Sequence, residues 1–218
     1  MPISYEDNLK RIHKIVASPY ANNCYIIVCK ETNASAIIDT PIDHEKIIAE
    51  SESTDVQHIL ITHNHFDHLE GYSKLRNRFP LASIGIGNDD SNKLPEKDPA
   101  NTLFQKDGYL KIGNLTLNVI VTPGHTPGST CYLIGNHLFS GDTLFPGGPG
   151  RTNSSSDFHQ IISSISKKLL TLDPEIIVHP GHGADTNIGT SKFEYAIFNK
   201  ENMDKDLFGD VAWIDSNQ

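Results

Sequence analysis

The sequence predicts an α/β protein in which β-sheets are flanked by helices. Short runs rich in β-branched residues alternate with segments whose apolar residues recur at helical spacing, as expected for packed layers of strands and helices. With 218 residues, 37% hydrophobic and 21% charged, the chain can bury a core without disulfide bonds. We therefore expect one domain over residues 1–218, with its core at about 12–190 and a short tail at about 201–218.

The first part of the chain is rich in predicted strands. Residues 24–29 and 35–39 are β-branched runs separated by polar turn residues, which is typical of paired strands. Asp43 is placed to cap a helix that runs to about Ser51. Residues 58–62 then form a third, buried strand, so that strand and helix alternate.

After residue 68, apolar residues recur at helical spacing, and Pro80 ends the predicted helix. A strand at 82–86 and a polar loop at 87–101 follow. Gly-Asn pairs at 113–114 and 135–136 predict tight turns between strands. The elements predicted for the second half are strands at 109–112, 115–121, 130–134, 137–140 and 176–178, a loop at 147–150, and a helix capped by Ser156 or Asp157 that runs to Leu170.

Charge and hydropathy exclude several classes of partner. A formal net charge of −9 without a basic stretch argues against nucleic acid, because binding to phosphates depends on lysine and arginine. No apolar run is long enough to cross a membrane, and the charged first twenty residues lack the apolar region of a secretory signal, so we expect a cytoplasmic location. The apolar tail residues Phe208, Trp213 and Ile214 are expected to dock on the body or on a second subunit, which leaves a homodimer open.

The three cysteines predict reduced structural thiols. Cys24 and Cys29 lie five positions apart on one predicted strand, where side chains five apart point to opposite faces. Cys131 lies in another strand-like run with no cysteine nearby.

Residues 63–68 read His-Asn-His-Phe-Asp-His and follow the apolar run 59–61. Imidazole and carboxylate together suit zinc, iron or manganese. A structural zinc site or a surface histidine cluster is the alternative, but the carboxylate and the open ligand pattern favour a catalytic metal.

Three further segments present a metal-capable residue after an apolar run and beside glycine. They carry His125 in Thr-Pro-Gly-His-Thr-Pro-Gly-Ser, Asp142 in Ser-Gly-Asp, and His182 in His-Pro-Gly-His-Gly. The prolines and glycines of the His125 segment can hold a ligand rigidly. The other histidines match no ligand position, although His179 stays open because it lies three residues from His182; they are His13, His44, His58, His137, His159 and His179.

In this order, the segments resemble the metallo-β-lactamase superfamily. Within it, the chain is most similar to the glyoxalase II group of thioester hydrolases, because Gly-Asp-Thr-Leu-Phe, Gly-Arg-Thr and Pro-Gly-His-Gly accompany the two histidine segments. The resemblance spans roughly residues 12–190 and implies an αββα sandwich, in which two mixed β-sheets are flanked by helices and the metals lie at the sheet edges.

The resemblance also implies two divalent metal ions, zinc by default with iron or manganese possible. A hydroxide that bridges the ions would attack the substrate carbonyl, with Asp67 and Asp142 as the catalytic carboxylates. The implied ligands are His63, His65 and His125 for one metal, Asp67, His68 and His182 for the other, and Asp142 between them.

Three residues are expected to support the ligands. Asp39 ends a predicted strand and, as in the superfamily, is expected to fix the loop of the histidine motif, and Thr62 is placed to brace the same loop. Arg151 of Gly-Arg-Thr is expected to tie its own loop near the site by charge-assisted hydrogen bonds, while Asn153 stands where relatives usually have aspartate.

The first functional hypothesis is a thioester hydrolase that acts on a small acyl thioester such as a hydroxyacyl-glutathione. A persulfide dioxygenase shares these motifs but uses one iron held by two histidines and one aspartate. A lactone or ester hydrolase is also possible on this fold, although Phe145 stands where the lactonases have tyrosine. An inactive metal-binding module is the alternative outside the enzymes.

Overall fold

Two β-sheets lie face to face in the computed structural model, which describes residues 3–17, 19–199 and 206–214. The rest of the predicted tail, at 201–205 and 215–218, lies outside the described residues. Among the described residues, no helix is both long and apolar enough to cross a membrane.

The first sheet has seven strands in sequence order and is mixed. Its first four strands are antiparallel, and its last four run parallel to one another. The strands are β1 (Ile3–Glu6), β2 (Lys10–Ala17), β3 (Asn22–Cys29), β4 (Ala34–Ile38), β5 (Asp55–Leu60), β6 (Ser83–Gly87) and β7 (Thr102–Phe104).

The second half of the chain forms a six-stranded sheet and a small ribbon. The strands are β8 (Gly108–Ile112), β9 (Leu115–Val121), β10 (Thr130–Ile134), β11 (His137–Gly141), the ribbon of β12 (Leu144–Phe145) and β13 (Gly148–Pro149), then β14 (Ile177–Pro180) and β15 (Thr186–Asn187). In space the sheet runs β15, β14, β11, β10, β9, β8. It is mixed too, because β14 is parallel to β11 and the other pairs are antiparallel.

Helices cover the outer face of each sheet. Helices α1 (His44–Ser51) and α2 (Tyr72–Arg78) pack on the first sheet through Ile47, Tyr72 and Leu75. Helix α3 (Ser155–Ser164), the π-helical turn Ile165–Leu169 that continues it, and α4 (Ile188–Phe198) cover the second sheet. Two 3₁₀ turns lie at Phe66–His68 and Asn88–Lys93. The predicted αββα sandwich is confirmed.

The core between the sheets is apolar, with Tyr25 and Ile27 of the first sheet packed in one cluster with Leu117 and Phe139 of the second. Cys29 lies in this cluster and Cys24 lies on the outer face, as strand alternation predicts. All three cysteines are free and buried.

Several boundaries differ from the sequence prediction. Strand β5 ends at Leu60 rather than residue 62, because the Thr62 carbonyl leaves the first sheet and accepts a hydrogen bond from Thr130 N of the second, at 2.8 Å. Helix α3 is capped by Ser154, whose hydroxyl accepts from Asp157 N at 3.2 Å, rather than by Ser156 or Asp157. The sequence reading did not assign β1, β2, β7 and α4, and the predicted loop at 147–150 contains β13.

The described part of the tail packs on the body of the same chain. Trp213 is 3% exposed and contacts Tyr195 and Phe198 of α4, with ring centroids 5.2 and 6.4 Å apart. Ile214 packs against the same cluster, whereas Phe208 is 55% exposed. Docking on the body is therefore confirmed for Trp213 and Ile214, and the homodimer stays a prediction.

We expect Trp213→Ala to lower the free energy of unfolding by about 3 kcal/mol, because it removes a large buried side chain from the contact with α4. Urea unfolding measures the change. The exposed Phe208→Ala serves as the control, with an expected change of about 0.5 kcal/mol or less. Equal effects of the two substitutions would contradict the docking of the tail through Trp213.

Candidate metal centre

All the predicted ligands lie at one edge of the sandwich because they follow strands whose carboxyl ends meet there. The segment 63–68 follows β5, and Asp142 and His182 follow the parallel pair β11 and β14. His125 lies in the turn between β9 and β10. Parallel strands place their carboxyl ends on one side, where loops form a site.

The seven side chains form two groups of potential ligand atoms. Within each group the atoms lie no more than 4.8 Å from one another. One group contains His63, His65, His125 and Asp142, and the other contains Asp67, His68 and His182. The division matches the one that the family resemblance implies.

Asp142 lies between the two groups. Its Oδ2 is 3.6 Å from His125 Nε2 of the first group and 3.6 Å from His182 Nε2 of the second. Its Oδ1 is 3.6 Å from His68 Nε2. One carboxylate therefore reaches both groups, as a bridging ligand must.

The residues fit a pair of divalent metal ions. His63 Nε2 and Asp142 Oδ1 are buried and have no hydrogen-bond partner among the described residues, and both residues belong to the first group. A buried polar atom without a partner is costly, and a metal ion would provide the missing interaction. Gly181 leaves this space open, because a Cβ there would collide with Asp142 Oδ1 and would lie 2.8 Å from His68 Cε1.

Spacing and protonation of the histidines support the same conclusion. His65 Nδ1 and His125 Nε2 are 3.0 Å apart, close to the ~3.3 Å expected for two nitrogens on one tetrahedral zinc ion. Burial lowers the pKa values of His63, His65 and His125. The imidazoles are therefore held neutral, which is the form that binds metal.

The Asp39 carboxylate forms hydrogen bonds with the loop that carries the histidine motif. It accepts hydrogen bonds from Thr62 N and from Thr62 Oγ1, each at 2.8 Å, and from His68 Nδ1 at 2.9 Å. Burial lowers the pKa of His68, but the adjacent Asp39 carboxylate outweighs this and raises it to about 9. Because Thr62 Oγ1 donates to Asp39, it accepts from His63 Nδ1 at 3.0 Å. Both histidines thus carry a proton on Nδ1 and turn Nε2 toward the two groups, and a metal ion that binds His68 would displace the second proton that its raised pKa leaves on Nε2.

Main-chain carbonyls orient the two isolated histidines. His125 Nδ1 donates to Arg151 O at 2.8 Å, and His182 Nδ1 donates to Tyr20 O at 2.9 Å. Arg151 therefore contacts His125 through its carbonyl, whereas the sequence predicted that its guanidinium ties the loop near the site by charge-assisted hydrogen bonds. That side chain is 68% exposed and lies 4.0 Å from Asp210.

Asp67 is held by an amide that sequence reasoning missed. Asn22 Nδ2 donates to Asp67 Oδ2 at 2.8 Å, and His182 Nε2 lies 3.2 Å from the same oxygen. Burial raises the pKa of Asp67, but these contacts outweigh it and hold the pKa well below its usual range. Asn22 and Tyr20 lie more than forty positions before the motif, and no local pattern pairs them with it.

Asp90 was also missed, because it lies in a segment predicted as a polar loop. It is fully buried and joins two ligand loops. Its Oδ2 accepts from Asn64 N at 3.0 Å and Thr126 Oγ1 at 2.6 Å, and its Oδ1 accepts from Gly128 N at 2.9 Å. Its position directly after β6, at the edge where β4 and β5 also end, is the signal that could have found it.

The histidines predicted to be ordinary residues lie outside both groups of ligand atoms. His179, which the sequence left open, bonds to Asp185 Oδ2 at 2.9 Å and to His137 Nδ1 at 2.9 Å. His13 pairs with Glu50 at 2.7 Å, and His58 contacts Lys111 O at 2.8 Å. Among the described residues, the two groups contain none of His13, His44, His58, His137, His159 and His179.

Comparison with known proteins identifies the same class of protein as the fold and the site do. The model of the metallo-beta-lactamase superfamily matches residues 17–182. The chain therefore belongs to this superfamily, and it is a metallo-hydrolase of the glyoxalase II-like kind. It is 33% identical over 201 residues to hydroxyacylglutathione hydrolase GloC of Haemophilus influenzae, and the match covers 83% of this chain and 94% of that protein.

Solved structures agree on the fold. The crystal structure of the BLEG-1 B3 metallo-beta-lactamase superposes with a TM-score of 0.76 and 29% identity, over 84% of this chain and 96% of that one. The crystal structure of ETHE1 from Myxococcus xanthus superposes with a TM-score of 0.73 and 28% identity, over 83% of this chain and 81% of that one.

We expect Asp39→Asn to weaken metal binding about 10- to 100-fold, mainly at the group of Asp67, His68 and His182. Asparagine tolerates the left-handed backbone of this position, where φ is 63°, so the change acts on the hydrogen bonds to Thr62 and His68. Titration with a competing chelator measures the affinity.

The control for this variant is Asp185→Asn, which removes the carboxylate beside His179, a histidine outside both groups. We expect it to leave metal affinity unchanged. The same loss in both variants would mean that Asp39 has no specific role in orienting a ligand.

We expect Asp90→Asn to lower the free energy of unfolding by about 1–3 kcal/mol, because the new amide would face a buried donor and leave it unpaired. The exposed neighbour Asp89→Asn is the matched control and should change little. Urea unfolding of the metal-free protein tests this, and two curves that coincide would refute the bridging role of Asp90.

Proposed function

We propose that the protein is a thioester hydrolase of the hydroxyacylglutathione hydrolase type, which adds water to the carbonyl carbon of a small acyl thioester and releases a carboxylic acid and a thiol. The observation that carries the proposal is the position of Asp142, whose carboxylate lies 3.6 Å from ligand atoms of both groups. A carboxylate shared by two groups of ligands is what a two-metal hydrolytic site requires.

In this proposal His63, His65 and His125 hold one metal ion, Asp67, His68 and His182 hold the other, and Asp142 contacts both. Zinc is the expected ion, with iron or manganese as alternatives, because the donor set suits all three. Two bound divalent ions lower the pKa of a water molecule and polarise a carbonyl group, so no serine or cysteine nucleophile is needed. The cysteines agree with this, since all three are buried and burial raises the pKa values of Cys24 and Cys131.

Side chains of the protein would position the attacking water and the substrate. Asp67 stays ionised because of its contacts with His182 and Asn22, so its oxygens can accept a hydrogen bond from an attacking water and orient it. A cavity of about 390 Å³ borders His125 and Asp142 and is large enough for a small acyl thioester. Phe145 lies on its wall, and its ring centroid is 6.5 Å from that of His182.

The relatives support a glutathione thioester as the substrate class. The match to the Haemophilus influenzae hydroxyacylglutathione hydrolase covers 94% of that protein, so nearly all of that relative aligns with this chain.

The test combines the metal content of the purified protein with hydrolysis of S-lactoylglutathione on the same sample. We expect two metal ions per chain, loss of turnover after chelation, and its return when the metal is restored. His182→Gln should lower kcat/KM about 100-fold or more, because it removes a ligand. His44→Gln, at a half-buried histidine outside both groups, should retain full activity.

Other outcomes would replace the proposal. One iron per chain, with oxygen consumption on glutathione persulfide and no thioester hydrolysis, would identify a persulfide dioxygenase. Two metals without turnover of any thioester would redirect the search to lactones and esters. If His68→Ala lowers stability but the metal-loaded protein has no hydrolytic activity, the chain is a metal-binding module.

A further inference from the structure

The cavity beside His125 and Asp142 has a second wall, which the tail supplies. One side is formed by residues 145–151, around the β12–β13 ribbon, and the other by residues 210–212. At its floor are the two metal ligands. A substrate whose carbonyl reaches the metal centre through this cavity must pass between the two walls.

Hydrogen bonds fix the two walls against each other. Thr152 N donates to Gly209 O at 3.1 Å, and Gly209 N donates to Thr152 O at 3.1 Å. Further along, Trp213 N donates to Gly147 O at 2.7 Å. Gly148 allows this approach, because a Cβ there would lie 2.7 Å from Val211 O. The tail is therefore an anchored part of the cavity.

This register places two opposite charges face to face. Thr152 and Gly209 form an antiparallel bridge, so their neighbours Arg151 and Asp210 are the next cross-strand pair. Both line the cavity, and apart from the metal ligands they are its charged residues among those described. The guanidinium Nη1 and the Asp210 Oδ2 are 4.0 Å apart.

The two charges are available to a ligand. Their side chains are 68% and 81% exposed, and at 4.0 Å they form an ion pair without a short hydrogen bond. Such an exposed pair contributes little to stability, so a ligand can replace each partner at little cost. Arginine can bind a carboxylate through two parallel hydrogen bonds, and a carboxylate can accept the donors of an ammonium group.

We propose that Arg151 and Asp210 bind an α-amino-acid group of the substrate, with its carboxylate on Arg151 and its ammonium on Asp210. The proposal rests on the proposed function for the assignment of this cavity to the substrate. It adds the requirement that the thiol part of the thioester carries an ammonium group and a carboxylate on the same carbon atom. The opposed charges would disfavour a substrate that offers only an anion, because Asp210 would repel it. The apolar wall of Pro146, Val211 and Ala212 suits the carbon chain between this group and the reacting carbonyl.

The experiment measures binding, so that it does not depend on turnover. The metal-loaded protein is titrated by calorimetry with three S-methyl thioethers, which cannot be hydrolysed. The first is S-methylglutathione, which has the α-amino-acid group. The second has glutaryl in place of γ-glutamyl and lacks the ammonium, and the third has 4-aminobutyryl and lacks the carboxylate.

We expect each truncated thioether to bind the unmodified protein about tenfold more weakly than S-methylglutathione or worse. The Asp210→Asn variant should bind the thioether that lacks the ammonium nearly as tightly as it binds S-methylglutathione. The Arg151→Gln variant should likewise bind the thioether that lacks the carboxylate nearly as tightly as S-methylglutathione. Arg78→Gln and Glu52→Gln, which disrupt an exposed ion pair on the opposite side of the first sheet, are the matched controls and should keep the full discrimination.

Equal affinity of the unmodified protein for the three thioethers would overturn the proposal, as would the absence of binding by S-methylglutathione. So would variants at Arg151 and Asp210 that still discriminate the truncated compounds. Hydrolysis of S-lactoylglutathione, measured separately, reports on the proposed function. If hydrolysis fails but the thioethers are discriminated, the thioesterase proposal falls and the α-amino-acid subsite stands.

Discussion

The buried Asp39 carboxylate is the constraint on which the metal centre depends. It stands directly after β4 with a left-handed backbone and accepts three hydrogen bonds, two from Thr62 and one from His68. Through Thr62 it also sets the orientation of His63. One residue at the end of one strand thus aligns a ligand from each group, and a buried carboxylate with several donors is stable without a metal. The site is therefore largely preorganised, and a metal ion need not reorder the chain to bind.

Electrostatics explains why the cluster tolerates so many titratable groups. Burial keeps His63, His65 and His125 neutral, and contacts with His182 and Asn22 keep Asp67 ionised. These three neutral imidazoles and the Asp67 carboxylate face one small space, whereas adjacent carboxylates raise the pKa values of His68 and His182 despite their burial. Divalent cations would displace the protons of these two histidines and give partners to the buried atoms of His63 and Asp142. Packing of the sheets offsets the free energy needed to bring these titratable groups together, because Asp39, the histidine loop and Asp90 each follow a buried parallel strand.

The residues of the two ligand groups and the residues that form the cavity walls come from different segments of the chain. The ligands belong to loops at the ends of core strands, whereas the cavity walls are the loop at 145–151 and the tail at 210–212. The two regions meet where the Arg151 carbonyl accepts from His125 and its side chain faces Asp210. Such a division lets related chains keep the metal chemistry and change the substrate by altering one loop and the tail.

Local periodicity was enough to predict most strands, and the resemblance to the metallo-β-lactamase superfamily implied both the αββα sandwich and the seven residues that gather in the two groups. The sequence did not reveal the edge strand β1 or its neighbour β2, which joins β1 to β3, or helix α4, whose apolar residues do not form a clear stripe. The hydrogen bonds of Asn22, Tyr20 and Asp90 near the two groups, and the contact of the Arg151 carbonyl with His125, became visible only in the folded chain. These contacts join residues far apart in the chain, and their energies depend on distances that packing sets and no local pattern records.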